Sequence, residues 1–287
     1  MNMNVNVKKL YIILTISLFV FPAFLTEAAN YEYLNSVAGR GDTIVIYFKN
    51  NKSAIKSAAF GTQPISYFKY KKDYVAVFAT SATQAVGKYS VKINFSDGTV
   101  FKKILAIKVL STPKKIALGI PKKLDMTPAS LVSNLRTQNA VLNNVFSATS
   151  TEIFFNSPFG LPLANNRNLG SLYGEIRQTG NEQIRHMGVD LIAPLGASVY
   201  AMNYGIISKV YYDPVYGNSI LINHGHGIFT AYFHLNTTII KQGDKVQKGA
   251  KIGTVGKTGY ATGPHLHLSV KINGISVNPL KFISAFK

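Results

Sequence analysis

The first rhythm along the chain is an apolar run over residues 10–25, preceded by Lys8 and Lys9, broken by Pro22 and followed by Thr26-Glu27-Ala28-Ala29. A basic start, an apolar middle and a small-residue end form the layout of a secretory signal, here spanning residues 1–28 with cleavage after Ala28. The run is 16 residues long, short of the roughly 20 that a membrane-spanning helix needs. After it the pattern shifts to short apolar-rich stretches punctuated by turn residues, which predict strands at 43–49, 64–71, 73–79, 88–96 and 99–110. Residues 88–95 alternate polar with apolar or aromatic side chains, and Ser96-Asp97-Gly98 offers a hairpin turn. Strands at this spacing suggest an immunoglobulin-like sandwich over residues 30–111. Residues 112–150 read as a linker with a helix. Pro113 and Pro121 mark the linker, and Thr127-Pro128 opens a helix to about residue 145 carrying Leu131, Leu135 and Leu142 at helical offsets. A second β-rich unit, expected as an antiparallel sheet with an open groove, fills residues 151–287. The predicted fold is therefore mainly β.

The second unit holds every histidine of the chain, at positions 186, 224, 226, 234, 265 and 267. In 265–272, period two puts His265, His267 and Ser269 on one face and Leu266, Leu268, Val270 and Ile272 on the other. In 228–235 the same rule groups Thr230, Tyr232 and His234 against Phe229, Ala231, Phe233 and Leu235. In 186–191 it groups His186 and Asp190 against Met187, Val189 and Leu191. Three strands that each bury an apolar face and direct imidazole or carboxylate the other way predict one polar groove, a pattern that core histidines would break. His224 and His226 fall in a glycine-rich turn, Asn223-His224-Gly225-His226-Gly227, and are assigned a turn or rim role, with His226 the more exposed.

Composition narrows the chemistry. The chain has no cysteine, which excludes disulfide scaffolds, thiolate metal sites and thiol nucleophiles. With 47% hydrophobic and 15% charged residues it can build real cores. The formal charge of +19 favours anionic partners, among them anionic cell-wall polymers. Only five of the 31 basic residues are Arg, however, and specific phosphate or base recognition leans on Arg forks. Nucleic acid is not an expected partner of an exported chain. Imidazoles and a carboxylate without thiols fit a zinc site, in which three protein ligands leave a fourth position free and two imidazoles remain for proton transfer or oxyanion stabilisation. Spacing alone does not say which histidine plays which part.

Several segments together resemble the lysostaphin-like M23 zinc peptidases: Arg185-His186-Met187-Gly188-Val189-Asp190, Gly217-Asn218, His224-Gly225, Tyr232-Phe233-His234-Leu235, 243–249 and Gly259-Tyr260-Ala261-Thr262-Gly263-Pro264-His265-Leu266-His267. The resemblance covers about residues 155–280, and a preceding immunoglobulin-like domain is similar to one subgroup of that family. It implies His186, Asp190 and His267 as ligands of one Zn2+, and His234 and His265 as the catalytic pair. The implied reaction is hydrolysis of peptide bonds in peptidoglycan cross-links or stem peptides. One departure is local: the Phe-Gly-x-Arg segment usual in the family is here Tyr173-Gly174-Glu175-Ile176-Arg177, with the Arg one place late. The alternative is a non-catalytic wall-binding or hydrolase-activating module, which would be expected to have lost ligands. The Gly-Lys turns of 243–256 are also similar to carrier-domain hairpins, but a carrier needs no histidine groove.

Overall fold

A computed structural model of the chain describes residues 31–33, 37–147, 150–164 and 168–286. The expected signal segment lies outside the described residues. Among these, no helix is long and apolar enough to cross a membrane.

The front unit is built from β1 (Tyr31–Tyr33), β2 (Val37–Gly39), β3 (Thr43–Phe48), β4 (Ile55–Phe60), β5 (Gln63–Pro64), β6 (Ser66–Tyr70), β7 (Asp73–Ala79), β8 (Gly87–Phe95) and β9 (Val100–Lys108). They form two sheets, ordered β1-β3-β7-β6 and β2-β9-β8-β4-β5, packed face to face. Ile44, Ile46 and Phe48 of β3 and Phe78 of β7 meet Ile93 of β8 and Phe101 of β9 in one core. β8 has one solvated face and alternates as predicted, with Val91, Ile93 and Phe95 buried and Lys88 and Lys92 exposed. Its hairpin closes at Gly98, whose φ of +87° lies in the left-handed region that glycine tolerates.

The first sheet is covered on both faces. Val45, Tyr47, Val75 and Val77 point away from the sandwich core and join the core of the second unit. The Tyr47 hydroxyl donates to the Ala285 carbonyl at 3.3 Å, and Tyr70 packs on Phe155 with ring centroids 5.7 Å apart. That double burial explains why 43–48 and 75–79 read as continuous apolar runs and not as alternating ones. Two expectations differ from the structure. The predicted strand 64–71 is two strands broken at Ile65, and β4 carried no period-two signal because its register shifts between Ile55 and Ser57.

The connecting residues lie on the second unit. β10 (Lys115–Ala117) runs parallel to β11 (Ile176–Thr179), which pairs with β12 (Glu182–Arg185). The predicted helix is α1 (Pro128–Phe146), started by a reciprocal cap in which Thr127 and Ser130 each accept the other's backbone N–H. Its buried Leu142 and Phe146 pack on Phe229, Ala231 and Phe233, and Leu131 packs on Val215 and Tyr260. Burial of each such side chain contributes about 1.5–3 kcal/mol.

The second unit continues with β13 (Val189–Ile192), β14 (Ser198–Tyr200), β15 (Gly205–Asp213), β16 (Gly217–Asn223), β17 (Ile228–Leu235), β18 (Thr237–Thr238), β19 (Lys245–Val246), β20 (Lys251–Thr254), β21 (His265–Ile272), β22 (Ile275–Val277) and α2 (Pro279–Ala285). A seven-stranded antiparallel sheet has the order β13-β21-β17-β16-β15-β19, with β22 beside β21. Leu266, Leu268, Val270 and Ile272 bury one face of this sheet. The other face carries His267 and Ser269 and receives α1.

Candidate metal centre

β21 holds its predicted alternation, so His265, His267, Ser269 and Lys271 leave the apolar core on the same side. Its pairing with β13 sets Asp190 opposite His267. His186 arrives from the short connection before β13, and Gly188 in that connection passes hard against β21. A Cβ added there would lie 2.4 Å from the Leu268 carbonyl and 2.6 Å from His267 Nε2, closer than atoms pack, so only glycine lets the two chains approach.

His186, Asp190 and His267 thereby converge, each buried, with potential donor atoms within 4.8 Å of one another. Asp190 Oδ1 lies 3.0 Å from His186 Nε2 and 2.9 Å from His267 Nδ1, and the two nitrogens are 2.9 Å apart. The far sides of both rings fix where their protons go. His186 Nδ1 faces the Leu172 carbonyl at 2.9 Å, which only accepts, so the proton sits on Nδ1 and Nε2 keeps its lone pair. His267 Nε2 faces Ser269 Oγ at 3.0 Å, and that hydroxyl donates to the Met187 carbonyl at 3.1 Å. The His267 proton is therefore on Nε2, and Nδ1 keeps its lone pair. Burial pushes His267 down to about 4. Asp190 lies well below the usual carboxylate range and carries no proton either. Three proton-free acceptors thus face one another at hydrogen-bond distance. Such a set is repulsive until a cation sits among them, and two imidazole nitrogens with one carboxylate oxygen are a donor set for a transition-metal ion.

The other oxygen of Asp190 is held by the Arg177 guanidinium through Nη2. Arg177 is buried on β11. The residue one place out of the expected spacing is therefore directed at a member of the triad. Sequence reasoning noticed the arginine and missed this role, because the strand pairing that aims it is set by β10 and β12. The Leu172 and Met187 carbonyls left no signal at all, since backbone acceptors carry no side-chain identity.

His234 and His265 stand beside the triad with ring centroids 4.9 Å apart. His265 Nδ1 faces the Gly263 carbonyl at 2.9 Å, which leaves Nε2 free, 3.7 Å from Asp190 Oδ1. His234 Nδ1 faces the Thr258 carbonyl at 2.9 Å and likewise leaves Nε2 free. Burial, with the charges of His265 and His267, keeps His234 well below its ordinary value. His234 reaches this side by a route the alternation does not predict. Tyr232 belongs to the buried core, and Phe229, Ala231 and Phe233 share the groove face with His267. Thr230 is buried with the core-facing set and not in a polar groove. His234 has φ +60°, and that left-handed residue interrupts the pleat and turns the imidazole round.

The two turn histidines divide. His226 is half-buried, stacked on Phe68 with centroids 4.8 Å apart. His224 is not at a rim: it is fully buried, with Nδ1 2.7 Å from the Tyr204 carbonyl and Nε2 2.9 Å from Thr230 Oγ1. A cavity of about 480 Å³ opens beside the triad, between α1 and β12 and over His267, Ser269 and Lys271.

Residues 184–279 match the sequence model of the family described as Peptidase family M23. A stretch of 115 residues is 38% identical to the peptidoglycan DD-endopeptidase ShyC of Vibrio cholerae and covers 40% of this chain and 25% of that protein. Another of 95 residues is 44% identical to the DD-carboxypeptidase/endopeptidase Mpg of Neisseria meningitidis and covers 33% of this chain and 22% of that one. The matched stretch thus spans about a quarter of the length of these curated relatives. A crystal structure from Pseudomonas aeruginosa, described as a candidate peptidase M23, superposes on 86% of this chain and 95% of its own with a TM-score of 0.64 at 20% identity, a likeness of fold.

Proposed function

We propose, from the premise that residues 184–279 are a domain of peptidase family M23, that the chain is an exported zinc metalloendopeptidase hydrolysing peptide bonds in peptidoglycan. The observation that carries this reading is the convergence of His186 Nε2, His267 Nδ1 and Asp190 Oδ1 as three proton-free acceptors. Their mixed nitrogen and oxygen character, and the absence of any thiol, suit zinc. A zinc ion held there supplies Lewis acidity, polarising a carbonyl and making water nucleophilic near neutral pH. The remaining chemistry belongs to the chain. His265 Nε2 and His234 Nε2, each left unprotonated by the carbonyl behind its ring, accept the proton of the attacking water and return it to the leaving amine. Whichever ring holds that proton steadies, as imidazolium, the oxyanion of the tetrahedral intermediate until it gives the proton up. Residues 1–28 serve as the export signal, 30–111 as an immunoglobulin-like spacer, and 151–287 as the peptidase unit.

The test is mass spectrometry of fragments released from purified peptidoglycan sacculi, with zinc present and an Asp190→Ala control. New amino termini that disappear in the control are the expected result and name the bond cut. Release unchanged in the control, or no release by a zinc-loaded protein, overturns the reading.

A further inference from the structure

The cavity beside the triad has a charge character that the proposed hydrolysis does not require. Its lining includes Arg177, Arg185 and Lys271 but neither Asp nor Glu. Arg177 is committed to Asp190, and Arg185 donates to the Gly174 carbonyl at 3.0 Å. Lys271 has no such commitment. Its ammonium lies over the Phe146 ring, 5.0 Å from the centroid, and its polar contact is the Gly274 carbonyl at 3.4 Å, beyond normal hydrogen-bond length. Among the described residues no carboxylate comes within ion-pair distance of it. Burial of the stem under α1 lowers its pKa to about 8, the mark of an ammonium that has lost water and gained no counterion. Removing a cation from water in this way is unfavourable unless an anion arrives to pair with it.

Lys271 also stands in register with the triad. His267, Ser269 and Lys271 are successive positions on one face of β21, so Lys271 lies about 13 Å along the strand from His267, the span of roughly four residues of extended peptide. The wall opposite is α1, which presents Asn139 and Asn143 beside Leu142 and Phe146, amides able to hydrogen-bond a peptide backbone next to an apolar surface.

We propose that this cavity is a subsite for a carboxylate of the peptide substrate, paired with the Lys271 ammonium within about four residues of the bond cut. The inference rests on the peptidase reading and adds to it a chemical requirement on the substrate. The carboxylate has two sources, the peptide's own C-terminus or an acidic side chain, and the test separates them.

Three synthetic stem-type peptides are compared on the full chain: one with both carboxylates free, one amidated at the C-terminus, and one amidated at the side chain. kcat and KM are measured for each with the wild type, Lys271→Met and Lys271→Arg. The wild type is expected to show a KM about tenfold higher for one of the two amides, with kcat moved far less, as for a desolvated charge pair. Lys271→Met erases that ratio, Lys271→Arg keeps most of it, and the amide that raises KM names the source. Equal KM values for all three peptides, or a ratio that survives in Lys271→Met, overturns the subsite. If the wild type cleaves none of them, the peptidase reading fails for these substrates. The subsite is then read from peptide affinities for the chelator-treated chain, where the same ratio supports it and its absence overturns it.

Discussion

Two histidines of the second unit, His224 in the turn between β16 and β17 and His267 on β21, share a burial and a basicity and differ in everything that matters for chemistry. Both are buried, and burial pushes both down to about 4. At His224 each ring nitrogen meets a complementary partner, the Tyr204 carbonyl on one side and the Thr230 hydroxyl on the other. At His267 the far nitrogen is satisfied by Ser269, while the near one faces two further acceptors, His186 Nε2 and Asp190 Oδ1. Depressed basicity therefore does not mark the functional centre. The mark is an excess of lone pairs that no proton of the protein can balance, and it is visible only when hydrogens are counted around the whole ring.

Substitutions can sharpen that comparison, beginning with the largest effect. His265→Ala removes a proton acceptor and no triad atom, so turnover on peptidoglycan is expected to fall by about 10²–10⁴-fold while bound metal stays stoichiometric. Loss of metal in the same variant would place His265 inside the ligand set. Arg177→Ala frees Asp190 Oδ2, and metal affinity measured by chelator competition should weaken by about 10–100-fold, the size of effect seen when partners of metal ligands are removed. Arg177→Lys should recover part of it, because a point charge replaces the fork.

His224→Gln is expected to leave turnover and metal binding as they are, and its effect is one of stability. The group binds its proton near 6.5 when unfolded and near 4 when folded, so between these values the unfolded chain holds more protons. Its contribution is complete above about pH 6.5 and is lost as pH falls toward about 4, amounting to roughly 3 kcal/mol across that window. Denaturant unfolding of the metal-free chain at several pH values should show a shallower slope in His224→Gln than in the wild type. An unchanged slope would show that His224 is not held neutral by burial.

How far the sequence discloses this arrangement depends on how regular each strand is. In β21 and β13 period two holds, so His265, His267 and Asp190 could be grouped before any coordinates. In β17 it does not hold across His234, whose positive φ reverses the facing of the imidazole. His234 was brought to the groove there by a rule that misplaced Thr230 and Tyr232. In the front unit β8 was legible because one face meets water. β3 and β7 were legible as strands, but their second partner was not, since an apolar run does not say what lies on each side. The laying of α1 onto the groove face was hidden for the same reason. Leu142 and Phe146 advertise burial, and only the facing Phe229 and Phe233 decide where.

The central claim is that the unbalanced lone pairs of His186, Asp190 and His267 make the metal centre, while the equally buried His224 takes no part. Equilibrium zinc titration of the full chain, with stoichiometry read by elemental analysis, tests it most directly in the wild type, His224→Gln and His267→Ala. The account predicts one tightly held zinc in the first two and none in the third. Zinc retained by His267→Ala, or lost from His224→Gln while that variant remains folded, would contradict it.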